Sequence, residues 1–231
     1  MALATCMMIC AMPPALVELP LNEGDFNAIA DSSARKNDVQ VFHPEYLKWV
    51  PGPHGQAIEF NNPDGNHERG MVQVKTPQGF DVTKGFSFTC TFKPGANFIK
   101  RRIYPLFRFA DGGFKGNGVL IFCTWNMLWA RLGCDDKYID ARTNVSDEGI
   151  LPNRWYHLAV TFDGKTVNTY LNGRLAASTE ASVKQPQSYN HICIGSTGDS
   201  YGYGFDGIIT QVRVFDRALS AEDVTSLLLE E

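Results

Sequence analysis

Two carboxylates on one strand face, about 5 Å apart, suffice for double-displacement glycoside hydrolysis. The spacing E-x-D-x-x-E would supply them, because alternate residues of a strand share a face. The 25 acidic residues of this chain include no such run. Glu45, Glu59, Glu68, Glu148 and Glu180 are solitary, and Asp135 and Asp136 are adjacent, so on a strand they face opposite ways. A polysaccharide lyase would gather Arg, His and Tyr on one concave face. Arg131, His157 and Tyr170 are loose candidates, with no motif around them. Gly202-Tyr203-Gly204 reads as a turn rather than a phosphate cradle. No C-x-x-C pair offers a zinc site. The expectation is a non-catalytic protein, with a lyase or hydrolase of unrecognised type as the rival.

Binding chemistry has better candidates. Aromatic rings stack on sugar faces, while Arg, Asn and Asp hydrogen-bond the hydroxyls. Trp125 and Trp129 flank a hairpin tip read around Asn126-Met127, and Arg131 follows on the same segment. Tyr201 and Tyr203 lie in a Gly-rich loop. These five are the expected ligand contacts. The opposing reading of each ring is core packing, the commoner fate of a sandwich tryptophan.

Strands must position them. In the run Trp155 to Gly173, His157, Ala159 and Thr161 alternate with Leu158, Val160 and Phe162, the pattern of a half-buried strand. Asp163-Gly164 reads as a hairpin turn with both residues at positive φ, and Asn172-Gly173 as a second turn. Further short strands are expected at 17–21, 39–42, 56–60, 71–74, 86–92, 103–109, 119–125, 128–132, 138–142, 192–195 and 208–215. Ser220 is a good N-cap, Asp223 follows three residues on, and Val224, Leu227 and Leu228 form an apolar stripe, so one short C-terminal helix is expected.

The signature W-x-H-L-A-V-T-F-D-G…Y-L-N-G, at Trp155 to Gly173, resembles the laminin-G-like jelly roll of the concanavalin A-like lectin/glucanase superfamily. Trp49 to Phe60 resembles the family's W-x-x-G-x-x-G-x-A-L-x-F segment, and Phe86 to Phe92 its central core strand. Phe205 to Val224 resembles its closing strand and terminal helix, and Asp31 to Asn37 its D-S-S-G-N-G-N loop. The resemblance implies an all-β fold, a two-sheet antiparallel jelly-roll sandwich with one short C-terminal helix. It also implies a binding module, lectin-like for a glycan or polysaccharide, or else an adhesion module for an extracellular protein or matrix. Relatives hold a structural Ca²⁺ between the N-terminal loop and the closing strand. Asp31 and Asn37 match that loop, but Thr210 stands where the family has an acidic ligand, with Asp206 or Glu23 as the compensating carboxylate. Calcium is therefore an open expectation, with Asp31, Asn37 and Asp206 as ligands. Trp49, Trp155 and His157 match structural positions of the family.

Length and charge bound the rest. With 231 residues, 44% of them hydrophobic, one large β domain with a full core is expected. A net charge of −4 and no basic stripe argue against nucleic acid, the three charges of Lys100-Arg101-Arg102 reading as a solvated turn. Residues 1–15 are apolar and uncharged, and they read as a truncated signal peptide or a hydrophobic leader, too short to span a membrane. The folded domain is then 16–231, and the expected location is secreted, extracellular or periplasmic. Cys6 and Cys10 fall in the leader. Cys90, Cys123, Cys134 and Cys193 are left as either one disulfide or free buried thiols, Cys90 sharing the core phase of Phe86, Phe88 and Phe92. Asn144-Val145-Ser146 is a glycosylation sequon, meaningful in a eukaryotic secretory pathway.

Overall fold

A computed structural model describes residues 12–62, 69–96, 98, 102–112, 116–143, 149–198 and 202–230. Tyr201, the sequon at 144–146, Lys100, Arg101, Cys6 and Cys10 lie outside them. Among the described residues fifteen strands run in the order β1 (Val17–Leu19), β2 (Val39–Phe42), β3 (Leu47–Gly52), β4 (Gly55–Asn61), β5 (Met71–Lys75), β6 (Phe86–Pro94), β7 (Tyr104–Ala110) and β8 (Gly118–Thr124). They continue with β9 (Met127–Cys134), β10 (Lys137–Arg142), β11 (Tyr156–Phe162), β12 (Thr166–Leu171), β13 (Arg174–Glu180), β14 (His191–Ile194) and β15 (Asp206–Phe215), before helix α1 (Ala221–Glu230).

The strands form two sheets. One has the order β13-β12-β11-β6-β15-β4-β3, with β1 also on β15, and the other β10-β9-β8-β7-β14-β5-β2. Alternation along each strand sends one row of side chains into the space between them. Phe86, Phe88, Cys90 and Phe92 of β6 are fully buried there, as are Leu158 and Val160 of β11. Val119, Ile121 and Cys123 of β8 and Leu128, Ala130 and Leu132 of β9 face them from the other sheet. The Phe88 and Phe107 rings meet across the sandwich at 4.6 Å. Cys90, Cys123 and Cys193 are buried and Cys134 is half-buried, and none of the four is bridged to another. Burial in apolar surroundings holds the Cys123 thiol protonated.

Local chemistry sets the turns. Asn172 and Gly173 both take positive φ, the geometry of a type I′ hairpin turn. Asp163 does not: only Gly164 is left-handed there, and the Asp163 carboxylate instead accepts the N–H groups of Lys165 and Thr166 at 2.9 and 2.7 Å. At the last helix, the Ser220 hydroxyl accepts the Asp223 N–H and the Asp223 carboxylate accepts the Ser220 N–H, a reciprocal cap. The helix lays Val224 and Leu227 over Ala159, Tyr170 and Phe215, covering part of the outer face of the eight-stranded sheet. Of the residues read as a leader, 1–11 lie outside the described set, and Met12 and Ala15 pack against this same cluster.

Candidate carbohydrate-binding face

The outer face of the seven-stranded sheet at its β8–β9–β10 edge carries a cluster of rings and charges. Strand β9 alternates cleanly: Leu128, Ala130 and Leu132 are buried inward, while Met127, Trp129 and Arg131 are half-buried on the outside. Trp125 and Asn126, both at positive φ, are the two residues of the β8–β9 turn, one position earlier than the tip read from sequence. That turn leaves the Trp125 ring 49% exposed. A second two-residue turn, Asp135-Asp136, also at positive φ, returns the chain as β10. The adjacent carboxylates Asp135 and Asp136 are thus a hairpin tip. The return places Asp140 opposite Arg131 and Arg142 opposite Trp129.

The cross-strand chemistry follows from that register. Arg131 donates from Nε and Nη2 to the two Asp140 carboxylate oxygens at 2.7 and 2.9 Å. Its guanidinium also lies 3.7 Å from the centre of the Tyr138 ring. Both members of the ion pair are mostly buried, so the bidentate bond is shielded from water and salt. One register step away, the Arg142 guanidinium lies 4.8 Å over the Trp129 ring. The Phe122 ring packs against Trp129 at 5.6 Å. Trp129 is therefore held between Phe122 and Arg142 rather than standing open as a platform. Tyr138, 42% exposed with Arg131 against it, and Trp125 are the more exposed rings.

The structure thus brings Trp129 and Arg131 side by side, with Trp125 at the neighbouring turn. Tyr203 is elsewhere, in the β14–β15 connection beyond β8 and β7, where its carbonyl accepts the Thr197 N–H at 3.0 Å. Tyr138, Asp140 and Arg142 were missed by sequence reasoning. The signal was present: a two-residue turn at Asp135-Asp136 fixes their partners on β9. At the opposite edge of the same face, Asp38, Gln40, Gln73, Lys75 and His191 line a cavity of about 240 Å³ without an aromatic wall.

The loose lyase set does not assemble. Arg131 is on the outer face of one sheet, whereas His157 and Tyr170 belong to the other, Tyr170 beneath the helix. The run from Gly198 to Gly202 spells G-x-S-x-G, and Gly202, Gly204 and Gly207 spell G-x-G-x-x-G. The first lies between strands β14 and β15 and the second runs into β15, whereas a nucleophile elbow or a dinucleotide cradle must lead into a helix.

The expected calcium ligands also separate. Asp31 is buried, and its carboxylate accepts five bonds, from the N–H groups of Glu18, Ser33 and Asn37, the Ser33 hydroxyl and the Asn37 amide. The Asn37 amide nitrogen also donates to the Leu16 carbonyl at 2.8 Å. Asp206 lies at the other end of β15 from the Glu18–Arg213 pair, about 20 Å along the strand by its rise per residue. Thr210 donates its hydroxyl to the Pro20 carbonyl at 2.9 Å. These residues do not fit one oxygen cage, and among the described residues no cluster of acidic, His and Cys side chains suits a metal. The Asp31 carboxylate oxygens are instead engaged by hydrogen-bond donors. Burial alone would raise the Asp31 pKa, but the bonds from Glu18, Asn37 and Ser33 outweigh it and hold the carboxyl below its usual range. Its stabilisation is full above the unfolded pKa near 4 and is lost as pH falls through the folded value. Asp31→Asn is expected to cost about 2 kcal/mol at neutral pH. Thermal melts of the wild type should coincide in calcium and in chelator; a clear upward shift in calcium would overturn this account.

The comparisons agree with this architecture. The binding domain of Paraclostridial Mosquitocidal Protein 1 superposes with a TM-score of 0.74 at 20% identity, over 93% of this chain and 52% of that one. The botulinum neurotoxin serotype G binding domain gives 0.72 at 18% identity, over 94% and 51%. The receptor binding domain of the botulinum neurotoxin C/D mosaic serotype gives 0.69 at 14%, over 94% and 51%. The chain spans about half the length of these structures, and at such identities they show a shared fold. No curated protein sequence matched the chain. A laminin G family model matches residues 65–225, more than half of the chain, and so this protein belongs to the concanavalin A-like lectin/glucanases superfamily.

Proposed function

We propose that this protein is a non-catalytic, extracellular binding module whose ligand is a carbohydrate, held on the outer face of β9 and β10. The observation that carries the reading is the strip of Trp129, Arg131, Tyr138, Asp140 and Arg142 on one open sheet face, with Trp125 beside it. Rings for stacking and polar groups already fixed in place are what sugar recognition needs. Rigidity matters, because a side chain immobilised before binding loses less entropy on contact. The structures that this chain resembles are binding domains, of a mosquitocidal protein and of a botulinum neurotoxin, which supports a binding role.

The test is a glycan array with the wild type and a Trp125→Ala/Tyr138→Ala double variant. Each stacked ring contributes about 0.5–1.5 kcal/mol beyond its buried area, so the variant should lose about tenfold or more in affinity while keeping its melting temperature. Equal binding by both proteins, or no sugar retained by either, would sink the proposal.

A further inference from the structure

The outer face holds two arginines that each lie over an aromatic ring, one mostly buried and paired with a carboxylate, the other exposed. Arg131 stacks on Tyr138, and the in-plane edge of its guanidinium is filled by the Asp140 carboxylate. The Arg142 guanidinium lies 4.8 Å over the Trp129 ring, and among the described residues no carboxylate answers it. Stacking engages only the face of a guanidinium, and its five N–H donors project from the edge, in the plane that grips carboxylate or sulfate bidentately. Arg142 is exposed, on an edge strand, and its ring partner orients it. The Arg131 pair beside it is internally neutral, so Arg142 gives this strip a net positive charge on a chain whose net charge is −4.

We infer that the Arg142 edge is the anchor for an acidic group, and that the ligand of this face is an anionic sugar, carboxylated or sulfated. The inference rests on the glycan reading above. The Asp140 carboxylate on Arg131 shows within the same hairpin the geometry the ligand's acid adopts on Arg142. The sugar ring then lies towards the exposed Tyr138 or Trp125, while Trp129 acts as a positioning residue through the guanidinium it orients.

The probes are oligosaccharides ending in sialic acid, glucuronic acid or a sulfate ester, each with its neutral parent, titrated against the full chain at low and high salt. The acidic forms should bind about tenfold or more tightly than their parents at low salt, with the difference shrinking at high salt. Arg142→Gln should remove that preference at unchanged melting temperature. Arg142→Lys should restore only part of it, since an ammonium keeps the charge and loses the planar fork. Preference for sulfate esters alone, or for carboxylates alone, supports the inference and names the acid. Acidic and neutral sugars binding alike, or a preference that survives Arg142→Gln, overturns it while leaving the glycan reading in place. No binding of any sugar overturns both.

Discussion

Phe88→Ala should destabilise the protein by about 3–5 kcal/mol, the usual cost of removing a buried phenylalanine ring. Phe88 is fully buried on β6, the strand between β11 and β15, and its ring meets Phe107 from the opposite sheet at 4.6 Å. The contact is one of those that join the two layers. Close-packed surroundings relax only partly around the lost ring, so the void adds to the lost transfer free energy. A domain has about 5–15 kcal/mol in all, so the variant should have a urea midpoint far below the wild type at similar slope. Adding Phe107→Ala should cost less than the two single changes summed, because both delete one contact. A loss under about 1 kcal/mol would mean that the sheets do not pack as described.

Acidification from pH 7 to 4 should remove about 3 kcal/mol through one residue, His157. Burial disfavours its charged form, the nearby Arg213 adds repulsion, and together they lower its pKa from 6.5 to about 4. The unfolded chain therefore takes up a proton near pH 6.5 that the folded protein refuses until about pH 4. The sign follows: stability is full above pH 6.5, falls between the two values, and is level below the lower one. Each pKa unit corresponds to about 1.4 kcal/mol, which sets the size. Urea unfolding of the wild type and His157→Gln across that range isolates the residue, since Asp31 and other acids act alike in both. Parallel curves would disprove it.

Much of the fold was legible because inner-face alternation is written residue by residue. Phe86, Phe88, Cys90 and Phe92 announce β6, and the reciprocal Ser220–Asp223 cap begins the helix where expected. The misses have physical causes. Strand β13, Arg174–Glu180, lies at a sheet edge with its residues mostly exposed, so no apolar alternation marks it; pairing with β12 makes it a strand. Strand β3 contains Pro51 and Gly52, which read as loop, but it too is an edge strand, where a missing donor is tolerated. The site was half legible: Trp129 and Arg131 were named, while their partners on β10 were not. Tyr203 has the right chemistry in the wrong place, because the loop composition says nothing about which strands separate it from β9.

The amino-acid sequence by itself determined most of the strands, their inner faces and the closing helix, because these follow from the polarity of consecutive residues, while the two-layer sandwich was what the family resemblance implied. Only the tertiary structure decided that Asp140 lies on Arg131 and Arg142 on Trp129, and that His157 and Tyr170 lie on a different sheet from Arg131. A strand register that slips by one residue turns every side chain to the other face. The two-residue turn at Asp135-Asp136 therefore makes the difference between an arginine paired with a carboxylate and an exposed one with no carboxylate partner among the described residues.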